Sequence, residues 1–456
     1  MHLIRFQDLI HQLAAGRIGG NLFADGQQVA FVGLARGACE QARELAALRA
    51  RRLVLSAAPT PGFVQALLAC WMAGALPMVC DAWSARHLNL PGPWNAAGLW
   101  QAGNWHQLGQ QIGTQTQAES DEALVLFTSG SSGQPKGVIM DGQRILSHLQ
   151  TVATAMALSE PATTGVILPL HHSFALITQL LLSLCHGGDL HLLPTDWLPG
   201  QRLAYLQMHK LQRLAGVPSH FRLLLDDSAV QLPALRHLTV AGAALDQALA
   251  TQILRICPHA QLWVGYGLTE AGPRVSALPH TDPRFASGSA GLPLPDTQLR
   301  IHDGEIQIKS PWLMRGYLDQ PQATASTLVK GWLHSGDTGY LADGYLYVTG
   351  RRDDVLRIGG EKVAPQAVEQ ILLSCPGVTA VAVYGEADPV FGQRAVALIQ
   401  GDVGIKALRH YARAMLPPEM RPRSWYAVSS LPWTPNGKLR RKDLPQWPKR
   451  VFTPGF

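Results

Sequence analysis

Residues 123–140 read ALVLFTSGSSGQPKGVIM. An apolar run, 124–127, stops at Thr128, and a second apolar run opens at Gly137. Between them lie small hydroxyls, glycines, one proline and Lys136. Glycine permits positive φ and close backbone approach, so such a loop can wrap N–H and O–H donors around a phosphate chain. Lys136 adds a neutralising charge. The same residues would also serve a solvated hairpin turn. The loop is not of the Walker type, in which Gly-Lys-Ser/Thr opens a helix. Here Lys136 follows Pro135 and precedes Gly137.

TSGSSGQPKG resembles, residue for residue, the phosphate-binding signature of the adenylate-forming (AMP-binding) superfamily. That group includes acyl- and aryl-CoA synthetases, adenylation domains of nonribosomal peptide synthetases, and luciferases. Further segments follow in the family's order. Gly265-Tyr266-Gly267-Leu268-Thr269-Glu270 resembles its second ATP motif. His334-Ser335-Gly336-Asp337-Thr338-Gly339 resembles its ribose motif, and Gly350-Arg351-Arg352-Asp353-Asp354 its interdomain hinge. Gly359-Gly360-Glu361-Lys362-Val363 resembles the loop after the hinge, and Pro435-Asn436-Gly437-Lys438 the catalytic-lysine motif. Gly304-Glu305-Ile306 and Arg315-Gly316-Tyr317 fit the linker between motifs. The likeness runs from about 53 to 444, in the manner of a compact stand-alone acyl- or aryl-CoA synthetase.

The chain has 456 residues, 47% of them hydrophobic and 15% charged, enough for a large core and more than one domain. Strands are expected over 166–169, 189–193, 211–217, 237–241 and 261–265, with helices over 174–185, 202–209, 219–226 and 247–256. This alternation predicts an α/β fold with mostly parallel strands flanked by helices. Ligands in such sheets sit at the carboxyl ends of strands, where Thr128, Gly242 and Tyr266 fall. Short alternating segments at 305–309 and 345–348 predict a small antiparallel, barrel-like subdomain. Helices over 365–373 and 406–415, with strands over 379–384, 394–400 and 424–428, predict a compact α+β tail. The resemblance implies that these parts are an N-terminal adenylation domain, 1–352, and a mobile C-terminal lid domain, 353–456, hinged at Asp353.

The 18 uncharged residues 63–80 approach the length of a membrane span. Gln65, Gly74 and Pro77 interrupt them, so a buried helix over 62–73 and a strand over 76–80 are expected instead. The N-terminal twenty residues read as an amphipathic helix, not a signal peptide. Six scattered cysteines, without CxxC or metal spacing, predict a reduced cytoplasmic protein. From Asp354 onward there are 14 Lys plus Arg against 8 Asp plus Glu, while the preceding 353 residues hold 24 of each sign. No groove-reading motif accompanies the basic excess, so no nucleic-acid partner is expected. A lid over phosphates, or a dock for an acidic carrier protein, suits it better.

The resemblance implies two half-reactions. A carboxylate attacks the α-phosphate of ATP, giving an acyl-adenylate and pyrophosphate. The pantetheine thiol of CoA or of an acyl carrier protein then displaces AMP. It further implies that Thr128, Ser129, Gly130, Ser131, Ser132, Gly133 and Lys136 hold phosphates. Lys438 would be the central catalytic residue, and Glu270 would ligate Mg²⁺. Thr269 would donate to the α-phosphate. Tyr266 and Gly267, with Gly242, Ala243 and Ala244, would enclose adenine. Asp337 would accept the ribose hydroxyls, and Arg351 would contact ribose or phosphate. Gly359 and Gly360 would line the thiol tunnel. Considered alone, Asp337 suits a turn and Arg351 an ion pair.

His172 would gate the carboxylate site; it is chosen over His171 because neighbours on one strand cannot both face inward. The acid pocket would be walled by Phe174, Ile177, Val217, His220, Phe221 and Val264. Amino-acid-activating members of the family carry an aspartate in the region that the resemblance assigns to His172, where it holds the α-ammonium. Here 173–178 contain no acid, and a buried ammonium without a partner is costly. An aryl acid, hydroxybenzoate-like, or a fatty acid is therefore expected over an amino acid. The segment before the phosphate loop, about 120 residues, is shorter than is usual in the family. The alternatives are adenylation without transfer, or a non-catalytic nucleotide-binding partner protein.

Overall fold

The uncharged stretch at 63–80 divides into two elements. Thr60 caps the helix Pro61–Met72 by accepting from Phe63 N, at 3.3 Å, and Pro61 fits the first turn, where no N–H is needed. The chain turns at Gly74, φ +69°, into the buried strand Leu76–Cys80. No helix among the described residues is long and apolar enough to cross a membrane. The computed structural model describes residues 5–47, 52–81, 98–101, 103–107, 121–129, 135–194, 196–225, 230–358, 361–388, 391–434 and 439–452.

By its internal contacts the chain forms two compact units, one of Met1–Leu299 with Gln307–His334, the other of Arg300–Ile306 with Ser335–Phe456. The first is built on two sheets. In the nine-stranded sheet Asn21–Ala24, Leu190–Leu192, Thr164–Val166, Arg213–Gly216, His237–Ala241 and Gln261–Tyr266 run parallel in that order. Antiparallel strands close both of its sides. In the seven-stranded sheet Glu122–Ser129, Leu76–Cys80, Arg52–Ser56 and Gly98–Gln101 run parallel, and Pro135–Asp141 returns antiparallel along Glu122–Ser129. The α/β fold with mostly parallel sheets is as expected.

Two elements differ from their expected form. The strand foreseen over 166–169 is Thr164–Val166. The apolar residues that follow it, Ile167 and Leu168, are buried outside the ladder, and burial alone does not distinguish strand from loop. The single helix foreseen over 174–185 is three pieces: Ser173–Ala175, a π-helical Leu176–Leu181, and Leu182–His186.

The N-terminal helix, Phe6–Ala14, buries Phe6, Leu9, Ile10 and Leu13, the one-face spacing of an amphipathic helix. Phe6 stacks on Trp71 at 3.9 Å, and Trp71 Nε1 donates to Ala123 O. The helix Gly142–Ala155 starts at Asp141, whose carboxylate accepts from Gln143 N and Arg144 N at 2.9 and 3.1 Å. All six cysteines are free.

In the second unit Gly392–Gly401 is the organising strand, antiparallel to Val378–Asp388 and parallel to Ser424–Ala427. Side chains alternate across it. Ala395, Ala397 and Ile399 face one core with the helices Pro365–Leu373 and Ile405–Met415, through Val368, Leu372, Leu408 and Ala412. Val396 and Leu398 face another with Leu431 and Leu444. Arg441 ties this unit together: it pairs with Glu369 at 2.6 Å and Asp354 at 3.1 Å, and donates to Val383 O at 2.8 Å. Burial alone would lower the pKa of this guanidinium; the Glu369 and Asp354 carboxylates hold it above its ordinary value.

Two stability predictions follow from these contacts. Arg441→Met removes the guanidinium from the Glu369 carboxylate, leaving it the Val383 N–H, and should cost about 3 kcal/mol, the lower end for breaking a buried pair. Asp141→Ala removes the cap of Gly142–Ala155 and should cost about 1–2 kcal/mol. Urea unfolding reads both; an unchanged midpoint would contradict the assigned contact.

Candidate active site

The hairpin that opens the sequence reading brings its two flanks into register. Thr128 faces Lys136 and Ser129 faces Pro135 across the antiparallel ladder. The short strand Gly316–Tyr317 pairs on the outer side of Pro135–Asp141, with Tyr317 opposite Val138. This places the Tyr317 ring 4.8 Å from Lys136 Nζ, in a cation–π contact.

Glu270 reaches the same spot from the other sheet. It follows the strand Gln261–Tyr266 in the 3₁₀ turn Thr269–Ala271. Its carboxylate accepts from Tyr317 Oη at 3.1 Å and stands 3.5 Å from Thr128 Oγ1. Its carbonyl accepts from Met314 N at 2.8 Å. Thr269 Oγ1 meets Ser173 Oγ at 3.0 Å. Hydroxyls, an ammonium and a carboxylate from five segments therefore converge.

The donor set fits a hard divalent cation: Glu270 offers carboxylate oxygen, with hydroxyls beside it. Among the described residues no three His, Cys, Asp or Glu cluster to hold a metal by themselves. One carboxylate completed by phosphate oxygens is the usual way Mg²⁺ is held.

Around this cluster, Tyr266 ends its strand half-buried, and its carbonyl accepts from Val275 N at 2.8 Å. Gly267 is tightly fitted: a Cβ there would fall 2.2 Å from Pro273 O. Gly242, φ +84°, Ala243 and Ala244 are exposed just beyond the strand His237–Ala241. Val217 packs beside Gly242, and His220 and Phe221 beside Gly216. Ile177 is fully buried and Val264 half-buried. His171 and His172 lie in a turn, not a strand, so alternation does not separate them. Both are half-buried with rings 4.0 Å apart, and burial lowers the pKa of His171, opposed by Asp81.

In the second unit Asp337 and Arg351 face each other across Trp332–Ala342 and Tyr345–Arg351. Arg351 Nε lies 3.1 Å from Asp337 Oδ1, and Asp337 N donates to Ser335 Oγ at 3.0 Å. Gly336 N donates to the buried Glu305, which also pairs with Arg352. Asp353 falls in the 3₁₀ turn Arg352–Asp354. Trp433 and Leu439 bridge on either side of 435–438. Gly130, Ser131, Ser132, Gly133, Gly359, Gly360 and Lys438 lie outside the described residues, as do the side chains of Ser129 and Asp353.

The sequence reading did not single out Tyr317, Ser173 or Arg274 as site residues. Tyr317 stood within a quoted motif and Ser173 beside His172, so proximity in sequence was a usable signal. Arg274 had none. A concavity of about 720 Å³ is lined by Arg144, Lys309 and Arg315 among others. Its arginines are already engaged, Arg144 with Leu313 O at 2.6 Å and Arg315 with Asp141 at 3.5 Å, so the chemistry is better placed at Glu270.

Residues 86–318 match the family model of the AMP-binding enzyme, and 367–438 that of the AMP-binding enzyme C-terminal domain. A feruloyl-CoA synthase of Amycolatopsis sp is 32% identical over 344 residues, covering 71% of this chain and 69% of that protein. A long-chain-fatty-acid–CoA ligase of Bacillus subtilis is 30% identical, covering 72% of this chain and 62% of its own length. The fold matches that of o-succinylbenzoate CoA synthetase from Bacillus subtilis in complex with the acyl-adenylate OSB-AMP: TM-score 0.83, 24% identity, 99% of both chains. ATP-bound MatB from Rhodopseudomonas palustris gives a TM-score of 0.85 at 21% identity, over 96% of this chain and 98% of that one. On the family models and these identities, the chain belongs to the AMP-binding enzyme family.

Proposed function

We propose that this protein is an ATP-dependent acid–thiol ligase. It activates a carboxylic acid as an acyl-adenylate and transfers the acyl group to the pantetheine thiol of CoA or an acyl carrier protein, in the cytoplasm. The observation that carries the reading is the convergence of Thr128, Lys136, Thr269, Glu270 and Tyr317 beside a glycine-rich loop. Relatives named for feruloyl-CoA and 4-coumarate–CoA formation support an aryl acid, and one named for long-chain fatty acids keeps the aliphatic option. The pantetheine carrier is supported only by the basic excess after Asp354.

In this mechanism a carboxylate oxygen bonds to the α-phosphorus, and the bond from that phosphorus to the pyrophosphate oxygen breaks. Such chemistry needs positioning and charge neutralisation more than covalent help. Lys136 and the loop Ser129 to Gly133 bind the phosphates. Thr269 donates to the α-phosphate, and Ser173 orients the Thr269 hydroxyl. Glu270, braced by Tyr317, would hold Mg²⁺, which would neutralise phosphate charge. Tyr266, Gly267 and the backbone of Gly242, Ala243 and Ala244 enclose adenine. His172 gates the acid site, walled by Phe174, Ile177, Val217, His220, Phe221 and Val264.

Lys438 stabilises charge developing on the bridging oxygens. Asp337 takes the ribose hydroxyls, with Arg351 holding its carboxylate in place. In the second half-reaction the thiol gives up its proton to solvent, its sulfur bonds to the acyl carbon, and the bond from that carbon to the phosphate oxygen breaks, AMP leaving with the electron pair. Gly359 and Gly360 line the thiol's path. A turn about Asp353, between domains 1–352 and 353–456, exchanges the two faces.

Carboxylate-dependent ATP–pyrophosphate exchange tests this. Lys438→Ala should lose at least about 100-fold, the scale of one transition-state donor; unchanged exchange would overturn its role. Asp337→Ala should lower kcat/KM for ATP by about 10–100-fold, as expected for lost hydrogen bonds to a charged group. It should also abolish the preference for ATP over 2′,3′-dideoxy-ATP. A preserved preference would remove Asp337 from the ribose site.

A further inference from the structure

Arg274 is 2% exposed, among the most enclosed side chains of its size in the protein. Its Nε and Nη1 are buried and have no hydrogen-bond partner among the described residues. No ion pair compensates it there either. Burial is the sole cause that pulls its pKa down, to about 10, with no carboxylate acting against it. Its buried basic neighbours offer no counter-charge. Burial pushes His148 and His237 each down to about 3, with Arg274 itself adding to the effect, so both are neutral. A desolvated guanidinium left without an anion is strongly unfavourable, and proteins seldom keep one without a use.

Its surroundings indicate what the anion would be. The guanidinium carbon lies 5.0 Å over the ring of Phe174, which covers one face and leaves the in-plane donors to be met edge-on. Phe174 follows Ser173, whose hydroxyl meets Thr269 at 3.0 Å. On the other side Nη1 fills the space next to Gly265. A Cβ on Gly265 would fall 2.4 Å from the Ser276 backbone oxygen and 2.7 Å from Nη1, so the strand and the guanidinium are packed directly against each other here. Gly265 directly precedes Tyr266 in the strand Gln261–Tyr266. Arg274 thus stands between a residue proposed to wall the acid pocket and one proposed to hold adenine.

We propose that Arg274 is a specificity-determining residue that receives a second anionic group, a distal carboxylate, on the acid being activated. The inference rests on the acid-activating reading above and narrows its substrate class to dicarboxylic acids. A planar guanidinium matches a carboxylate in both charge and geometry. A phenolic hydroxyl would satisfy a donor but leave the charge uncompensated.

The test is ATP–pyrophosphate exchange by the full-length protein with matched acids. Each diacid, aliphatic from malonate to suberate and aromatic from the phthalates to carboxycinnamates, is paired with analogues bearing methyl or hydroxyl in place of the distal carboxylate. The wild-type protein should favour its best diacid by about 100-fold in kcat/KM, mainly through KM, because a site built around a buried donor rejects partners that leave it unpaired. Arg274→Met should collapse or invert that preference, and Arg274→Lys should restore part of it. A wild-type preference for the methyl or hydroxyl analogue overturns the assignment. So does an unchanged ratio in an Arg274→Met protein that unfolds at the wild-type temperature. If Arg274→Met does not fold, the wild-type ratio and Arg274→Lys decide. Exchange with monocarboxylates alone leaves the ligase reading standing and sinks only this inference. No exchange with any acid overturns both.

Discussion

The Glu270 carboxylate is the constraint on which the first unit's chemistry depends. It sits just past the end of a strand in one sheet, yet its partners Thr128 and Tyr317 belong to the other. A charged group half-buried between two sheets is tolerable only where hydroxyl donors meet it. The Tyr317 contact at 3.1 Å supplies one, and the Met314 N–H on its carbonyl pins the turn that presents it. The contacts that hold this carboxylate in place are therefore also those that would direct oxygen at a cation and phosphates. Removing Tyr317 would leave the charge while loosening its aim.

The second unit solves a different problem. It is small, so the three-way engagement of Arg441 with Glu369, Asp354 and Val383 supplements two thin cores. Arg441 also lies just after the isolated Trp433–Leu439 bridge.

Much of the architecture was legible in local pattern. The helix over 365–373 and the strand over 237–241 occur within the bounds that apolar periodicity indicated. Elements whose ends depend on ladder partners were less so. Thr164–Val166 is set by pairing with Leu190–Leu192 and Arg213–Gly216, not by its own hydrophobicity. The π-helical turn at Leu176–Leu181 adds a residue to a helical repeat that the pattern alone cannot reveal.

The sequence by itself determined the α/β class, the family and the order of the motifs, because short-range chemistry writes these into contiguous residues. It also showed which types are present: a lysine in a glycine-rich loop, a carboxylate after Thr269. What only the tertiary structure decided are the contacts between distant segments. Asp337 meets Arg351 because two strands share a register, and Tyr317 meets Glu270 because a two-residue strand joins the hairpin formed by Glu122–Ser129 and Pro135–Asp141. Arg274 is the sharpest case. In sequence it is one basic residue among many, and only burial, which the whole fold creates, turns it into a charge lacking an anion among the described residues.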